Sequence, residues 1–228
     1  MSTLRLATSL LFSLFIVASS CAASLGDLSN ADATAGLKAA MQKGSSAAVA
    51  KLGVKDGFLK NSKVRIPLPP VLKKARPALK MVGKEKQLDD LEVSMNRAAE
   101  SAVPLAKPLF INAVKSMSVD DAKKILKGGD TAVTEFFRKK TSAKLKVQFL
   151  PIVKGVTDRS NLSAKYNSAV SQAASFGITK KSKTVEEHVT EKALDGLFLM
   201  IAEEEKKIRK DPVGSGSKII STVFGALK

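Results

Sequence analysis

The chain has 228 residues, 44% of them hydrophobic, with ten Phe, one Tyr and no Trp. That is enough for one substantial core, built from Leu, Val, Ile, Ala and Met. A single Cys and a single His exclude an internal disulfide framework and leave almost nothing for a Cys/His metal site, and no cofactor or metal is expected. The formal charge of +17 favours anionic partners.

Residues 1–23 have the pattern of a secretory signal: Arg5 in a short leading region, an apolar run from Leu10 to Ala18, then small residues to Ser24. The run is shorter than the roughly 20 residues of a membrane span. Cys21 has two readings. After Ala18-Ser-Ser it stands at a lipidation position, which would make the signal residues 1–20; in Cys21-Ala-Ala23 it belongs to an ordinary cleavage site. Either way the expected destination is the periplasm, an outer-membrane lipid anchor or the exterior.

From residue 30 onward the pattern is helical. A Ser29 or Asn30 cap opens a helix to Leu52, with Gly44-Ser-Ser46 as a place where it could bend. Lys55-Asp-Gly-Phe-Leu59 reads as a turn carrying a hydrophobic plug. Prolines force Lys63–Pro70 to be extended, and Pro70 suits the first turn of a helix ending at Gly83, bent at Pro77. The pattern from Lys86 to Met117 is expected to kink or break near 101–108, where Pro104 and Pro108 remove amide donors one turn apart.

Ser118 with Asp121 makes a start for a short helix ending at Gly128. Asp130 is placed to cap a helix holding Phe136 and Phe137, and a separate one is predicted over about 142–158, kinked at Pro151. Helix 163–176 and a basic loop follow. Thr184 and Glu187 then form a second capping box before a helix over about 184–210 that is apolar from Leu194 to Ala202 apart from Asp195 and Gly196. The whole reads as all-α: one domain over 30–228, a multi-helix bundle of about eight helices around that central hydrophobic helix.

Seven stretches in order carry a family resemblance: Asp56-Gly-Phe-Leu59, Val64-Arg-Ile-Pro-Leu-Pro69, Met95-Asn-Arg-Ala-Ala-Glu100, Ala106-Lys-Pro-Leu-Phe110, Gly128-Gly-Asp-Thr-Ala132 with Phe137-Arg-Lys-Lys-Thr141, Phe149-Leu-Pro-Ile-Val-Lys154, and Lys192 to Glu205. Through them the chain resembles domain of unknown function 4197, from about Ala35 to Phe224. The resemblance implies a helical, exported, mostly bacterial protein, often a lipoprotein, with no settled activity or catalytic residues.

Asp195 within an apolar run would be costly unless paired. The expected arrangement is a buried polar network of Asp195 with Lys192, Arg97, Asn96 and Glu100, pinning helix register rather than doing chemistry. Gly196 beside it is expected to admit a close helix neighbour. His188 reads as solvated, and Glu205–Arg209 as an exposed pair at a helix end. Gly128-Gly129 reads as a helix end followed at once by a new cap, not a phosphate loop.

Positive charge is concentrated in residues 55–86, ten basic against two acidic, and in 138–165, eight against one. If the two segments meet, Lys73, Lys74, Arg76, Arg138, Lys139 and Lys140 form one basic face. No stacking aromatics or groove-reading motif accompany it, so nucleic acid is not the expected partner. The functional expectation is an exported, non-enzymatic envelope protein that meets anionic lipid or envelope polymer through this face, with membrane contact only peripheral or by a lipid anchor. A second reading is a carrier holding an apolar, lipid-like ligand between kinked helices, and a third a hydrolase using Asp195 or Glu100 as base.

Overall fold

The computed structural model describes residues 29–159, 161–178 and 183–227. The segment read as a signal, with Cys21, lies outside them. Nine α-helices and no strand occur among the described residues, so the chain is all-α. They are α1 (Asn30–Leu52), α2 (Pro70–Met81), α3 (Glu85–Ala102), α4 (Ala106–Lys115), α5 (Val119–Lys127), α6 (Ala132–Arg159), α7 (Leu162–Ser175), α8 (Val185–Lys210) and α9 (Lys218–Gly225).

The local signals explain most boundaries. The Ser29 side chain accepts from the Asp32 amide and starts α1. Reciprocal capping boxes, Ser118 with Asp121 and Thr184 with Glu187, start α5 and α8. The two prolines after α3 tighten the chain into a 3-10 turn, Val103–Leu105, before α4.

Three local expectations are corrected. Helix α1 runs unbroken through Gly44-Ser-Ser46, because Ser45 Oγ turns back to the Met41 carbonyl and Gly44 lets α8 approach. The segments predicted as two helices on either side of residue 142 are the single α6. Thr141 and Ser142 spend their hydroxyls on the carbonyls four residues back, and the bond lost at Pro151 falls on Val147, which is exposed and can be hydrated. Asp130 does not cap α6; a carboxylate from α8 does.

Helix α8 lies against α1, α3, α6, α7 and α9, which makes it the post of the bundle. Its inner faces bury Val189, Ala193, Leu197, Phe198 and Ile201. Phe198 meets Phe110 of α4 edge-on with ring centroids 6.3 Å apart, and Phe110 in turn meets Phe137 of α6 at 4.8 Å. Unlike the all-round apolar helix predicted, α8 keeps one stripe in solvent: Lys192, Asp195, Leu199 and Lys206, at helical spacing. Across α8, Gly196 admits not a helix but the loop after α1. A Cβ there would stand 2.9 Å from Phe58 Cε1 and 3.1 Å from Val64 Cβ.

Candidate functional site

The predicted polar network is present in part, and its centre is elsewhere. Asp195 is exposed and, among the described residues, pairs only with Lys192 one turn back, at 3.3 Å. Neither residue reaches Asn96, Arg97 or Glu100, because the stripe they share faces away from α3. The buried members belong to α3 and hold the irregular segment 53–69. Glu100 Oε1 accepts from the amides of Phe58 and Leu59 at 3.0 and 3.2 Å, and its Oε2 accepts from Arg97 at 2.6 Å. Arg97 also donates to Asp56 at 2.7 Å. That bond, with Lys60 helping, holds the Asp56 carboxyl below the usual carboxylate range.

Asn96 completes the clasp. Its amide oxygen takes the Ile66 N–H and its nitrogen donates to the Ile66 carbonyl, as a neighbouring strand would. Next on the same helix, Glu92 takes Arg65 at 2.8 Å and meets Arg76, which also donates to Asp89. Segment 53–69 has little regular structure of its own, so these side chains supply its backbone partners. Glu100 spends three hydrogen bonds on the protein itself and is 5% exposed, and Asp195 sits on an open helix face.

Sequence reasoning missed a second buried carboxylate. Glu205, read as exposed, lies inside and caps α6: it accepts from Val133 N–H, Thr134 N–H and Thr134 Oγ, each at 2.9 Å. Arg209 pairs with it at 3.1 Å and donates onward to the Ile125 carbonyl that ends α5. A carboxylate at a helix N-terminus is where the helix dipole favours negative charge. The i,i+4 spacing of Glu205 and Arg209 was visible in the sequence; their burial was not.

The six basic residues fall into different settings. Lys73 and Lys74 are exposed on α2, which packs on α7 and α3. Arg76 is committed to Asp89 and Glu92, and Arg138 lies 4.5 Å over the Phe198 ring. Lys139 and Lys140 are exposed on α6. They open a long solvent face of that helix: Lys140, Lys144, Val147, Leu150, Pro151 and Lys154 recur at three- and four-residue steps and are all exposed. Val147 is 74% exposed and Leu150 36%. Seven basic residues stand against two acidic ones on α6. No helix among the described residues is long and apolar enough to cross a membrane.

A groove of about 750 Å³ runs between the extended Pro67–Val71 and the start of α8. Lys73 stands on one side, with Lys183, His188, Glu191 and Lys192 on the other. His188 is not solvated, as the sequence suggested, but 8% exposed, with Nε2 3.1 Å from the Pro67 carbonyl oxygen. A carbonyl only accepts, so Nε2 carries the proton and the neutral ring offers Nδ1 as acceptor. Burial pushes the His188 pKa below its usual value, more than the Pro67 hydrogen bond lifts it. Lys183 reaches Glu191 at 2.6 Å, and this pair holds the Glu191 carboxyl below its usual range. Lys73 meets no carboxylate among the described residues.

The gap between α1, α6, α8 and α9, lined by Met41, Val133, Ile201, Glu205 and Phe224 among others, is about 10 Å³. Among the described residues no three His, Cys, Asp or Glu side chains gather within reach of one metal ion.

Fold and site together define a helical-bundle protein whose buried ionic groups clasp its own backbone and whose free cations face outward. The chain belongs to the family of proteins of unknown function DUF4197, whose model matches residues 27–225. Neither the curated proteins nor the solved structures contain a match to it.

Proposed function

We propose that the protein is an exported, non-enzymatic envelope protein that associates peripherally with anionic lipid surfaces, and that the solvent face of α6 makes the contact. What carries this reading is the mixture on that face: Lys140, Lys144 and Lys154 surround Val147, Leu150 and Pro151, all exposed. A charged polymer would satisfy the lysines and leave the apolar side chains in water. A lipid surface takes both, with the apolar groups entering the boundary layer and the lysines at the headgroups. Each lysine near such a surface contributes about 1 kcal/mol.

The α6 face replaces the face first drawn across α2 and α6. Arg76 is engaged by Asp89 and Glu92 and Arg138 by the Phe198 ring, and α2 packs on α7 and α3. The gap beside α1 is too small for a lipid-like ligand, and the hydrolase reading is left with Glu100 engaged by two backbone amides and Arg97 and Asp195 on an open surface.

The test is sedimentation with vesicles. The protein should bind vesicles containing anionic phosphatidylglycerol, weaken as salt rises, and ignore neutral phosphatidylcholine vesicles. Lys140→Gln with Lys144→Gln should weaken binding by about 30-fold, from two lysines at about 1 kcal/mol each. Equal binding to neutral vesicles, or an unaffected double variant, would refute the assignment.

A further inference from the structure

We propose that the groove between Pro67–Val71 and the start of α8 is a binding site for a small organic anion, with a carboxylate head and a short apolar body. The site is distinct from the lipid-facing side of α6 and does not rest on it. Its two ends differ in chemistry. Pro67, Leu68, Pro69, Pro70 and Val71 give one wall a continuous apolar run, while Lys73 beside it and Lys192 across the groove bring ammonium donors.

The proline wall is held open before any ligand arrives. Asn96 grips Ile66 through both its backbone groups, and His188 ties down the next carbonyl, Pro67. Proline fixes its own backbone angle, so the wall loses little conformational freedom on binding. The Leu68 amide, unlike those of the prolines beside it, has a hydrogen to give, and it meets no acceptor among the described residues. Glu191 does not repel an anion as a lone carboxylate would, because Lys183 already neutralises it. Among the described residues Lys73 has no carboxylate partner, and Lys192 has only the exposed Asp195. The groove therefore carries net positive charge next to an apolar shelf. A carboxylate fits this set of donors, and the apolar body requires more than a bare inorganic ion.

His188 makes the test direct, since it is the one histidine of the chain and its ring signals need no assignment among others. Octanoate, inorganic phosphate and octanol would be titrated into the full chain while the imidazole resonances are followed. Octanoate should shift them saturably and raise the His188 pKa, because an anion placed among Lys73, Lys183, Glu191 and Lys192 favours the imidazolium. Phosphate, lacking the apolar body, and octanol, lacking the charge, should each bind at least tenfold more weakly. Lys73→Gln and Lys192→Gln should each lose about tenfold in octanoate affinity, as expected for a charged hydrogen bond. Both lysines are exposed, so the histidine spectrum of each variant without ligand should match the parent and show the fold intact. No saturable shift with octanoate, phosphate binding as well as octanoate, or full affinity in both variants would each overturn the proposal.

Discussion

Replacing Glu100 with alanine tests whether segment 53–69 is held by α3. The change deletes the acceptor for two amides and one guanidinium bond. Phe58 is fully buried, so its orphaned N–H loses about 2 kcal/mol, and the partly exposed Leu59 N–H about 1. Arg97 keeps Asp56 and is 30% exposed, so its charge stays hydrated and the full penalty of a broken buried ion pair is not reached. The sum is about 3 kcal/mol, or a fall in Tm of about 6–12 °C for a domain of this size. Glu100→Gln keeps one oxygen for the amides but turns a donor toward Arg97, and should lose only about 1 kcal/mol. Asp195→Ala, which removes an exposed pair one turn long, should change stability by a few tenths. Denaturant unfolding of the three variants, with unchanged slopes, reads these values directly. If Asp195→Ala destabilised as much as Glu100→Ala, or Glu100→Ala lost under about 1 kcal/mol, the clasp would be misplaced.

Three further outcomes follow from single contacts. Gly196→Ala puts a methyl against Phe58 and Val64 and should destabilise by about 1–3 kcal/mol in thermal unfolding. Thr190 Oγ is the one buried side-chain oxygen without a partner among the described residues, so Thr190→Val should stabilise by about 1 kcal/mol. His188, with its folded pKa below the unfolded value of about 6.5, is neutral in the fold and takes up a proton more readily when unfolded. Its contribution is present above that pH and is lost as pH falls toward the folded pKa. His188→Gln should flatten the fall in stability below pH 6.5, by up to about 1.4 kcal/mol per pH unit, in denaturation curves taken across that range.

Helix content was legible because its signals are local. Ser118 with Asp121, Thr184 with Glu187 and the Pro104–Pro108 pair act within one or two turns, and the chain obeys them. Several of the misplacements involve partners distant in sequence. Asp195 reads as buried because its neighbours are apolar, yet one residue per turn is enough to keep a stripe of α8 in solvent. His188 reads as solvated because its burial comes from Pro67, 121 residues away. Glu205 and Arg209 read as a surface pair because nothing near them reveals that the start of α6 lies against them. Asn96, Arg97 and Glu100 were recognisable as a polar group on one helix, but their partners were not, since a loop that borrows its hydrogen bonds leaves no periodic trace. The amphipathic face of α6 was hidden by dividing the helix at residue 142, which separated Lys139 and Lys140 from Val147 and Leu150.

The claim that α6 meets lipid is tested most directly by depth. Val147 and Val213 are equally exposed at 74%, one on the proposed face and the other in the turn before α9. With Cys21→Ser in the background, an environment-sensitive fluorophore would be attached at Val147→Cys or Val213→Cys, and anionic vesicles carrying a lipid-borne quencher added. The account predicts a blue shift and quenching at 147 and neither at 213. Equal quenching at both positions, or none at 147, would contradict it.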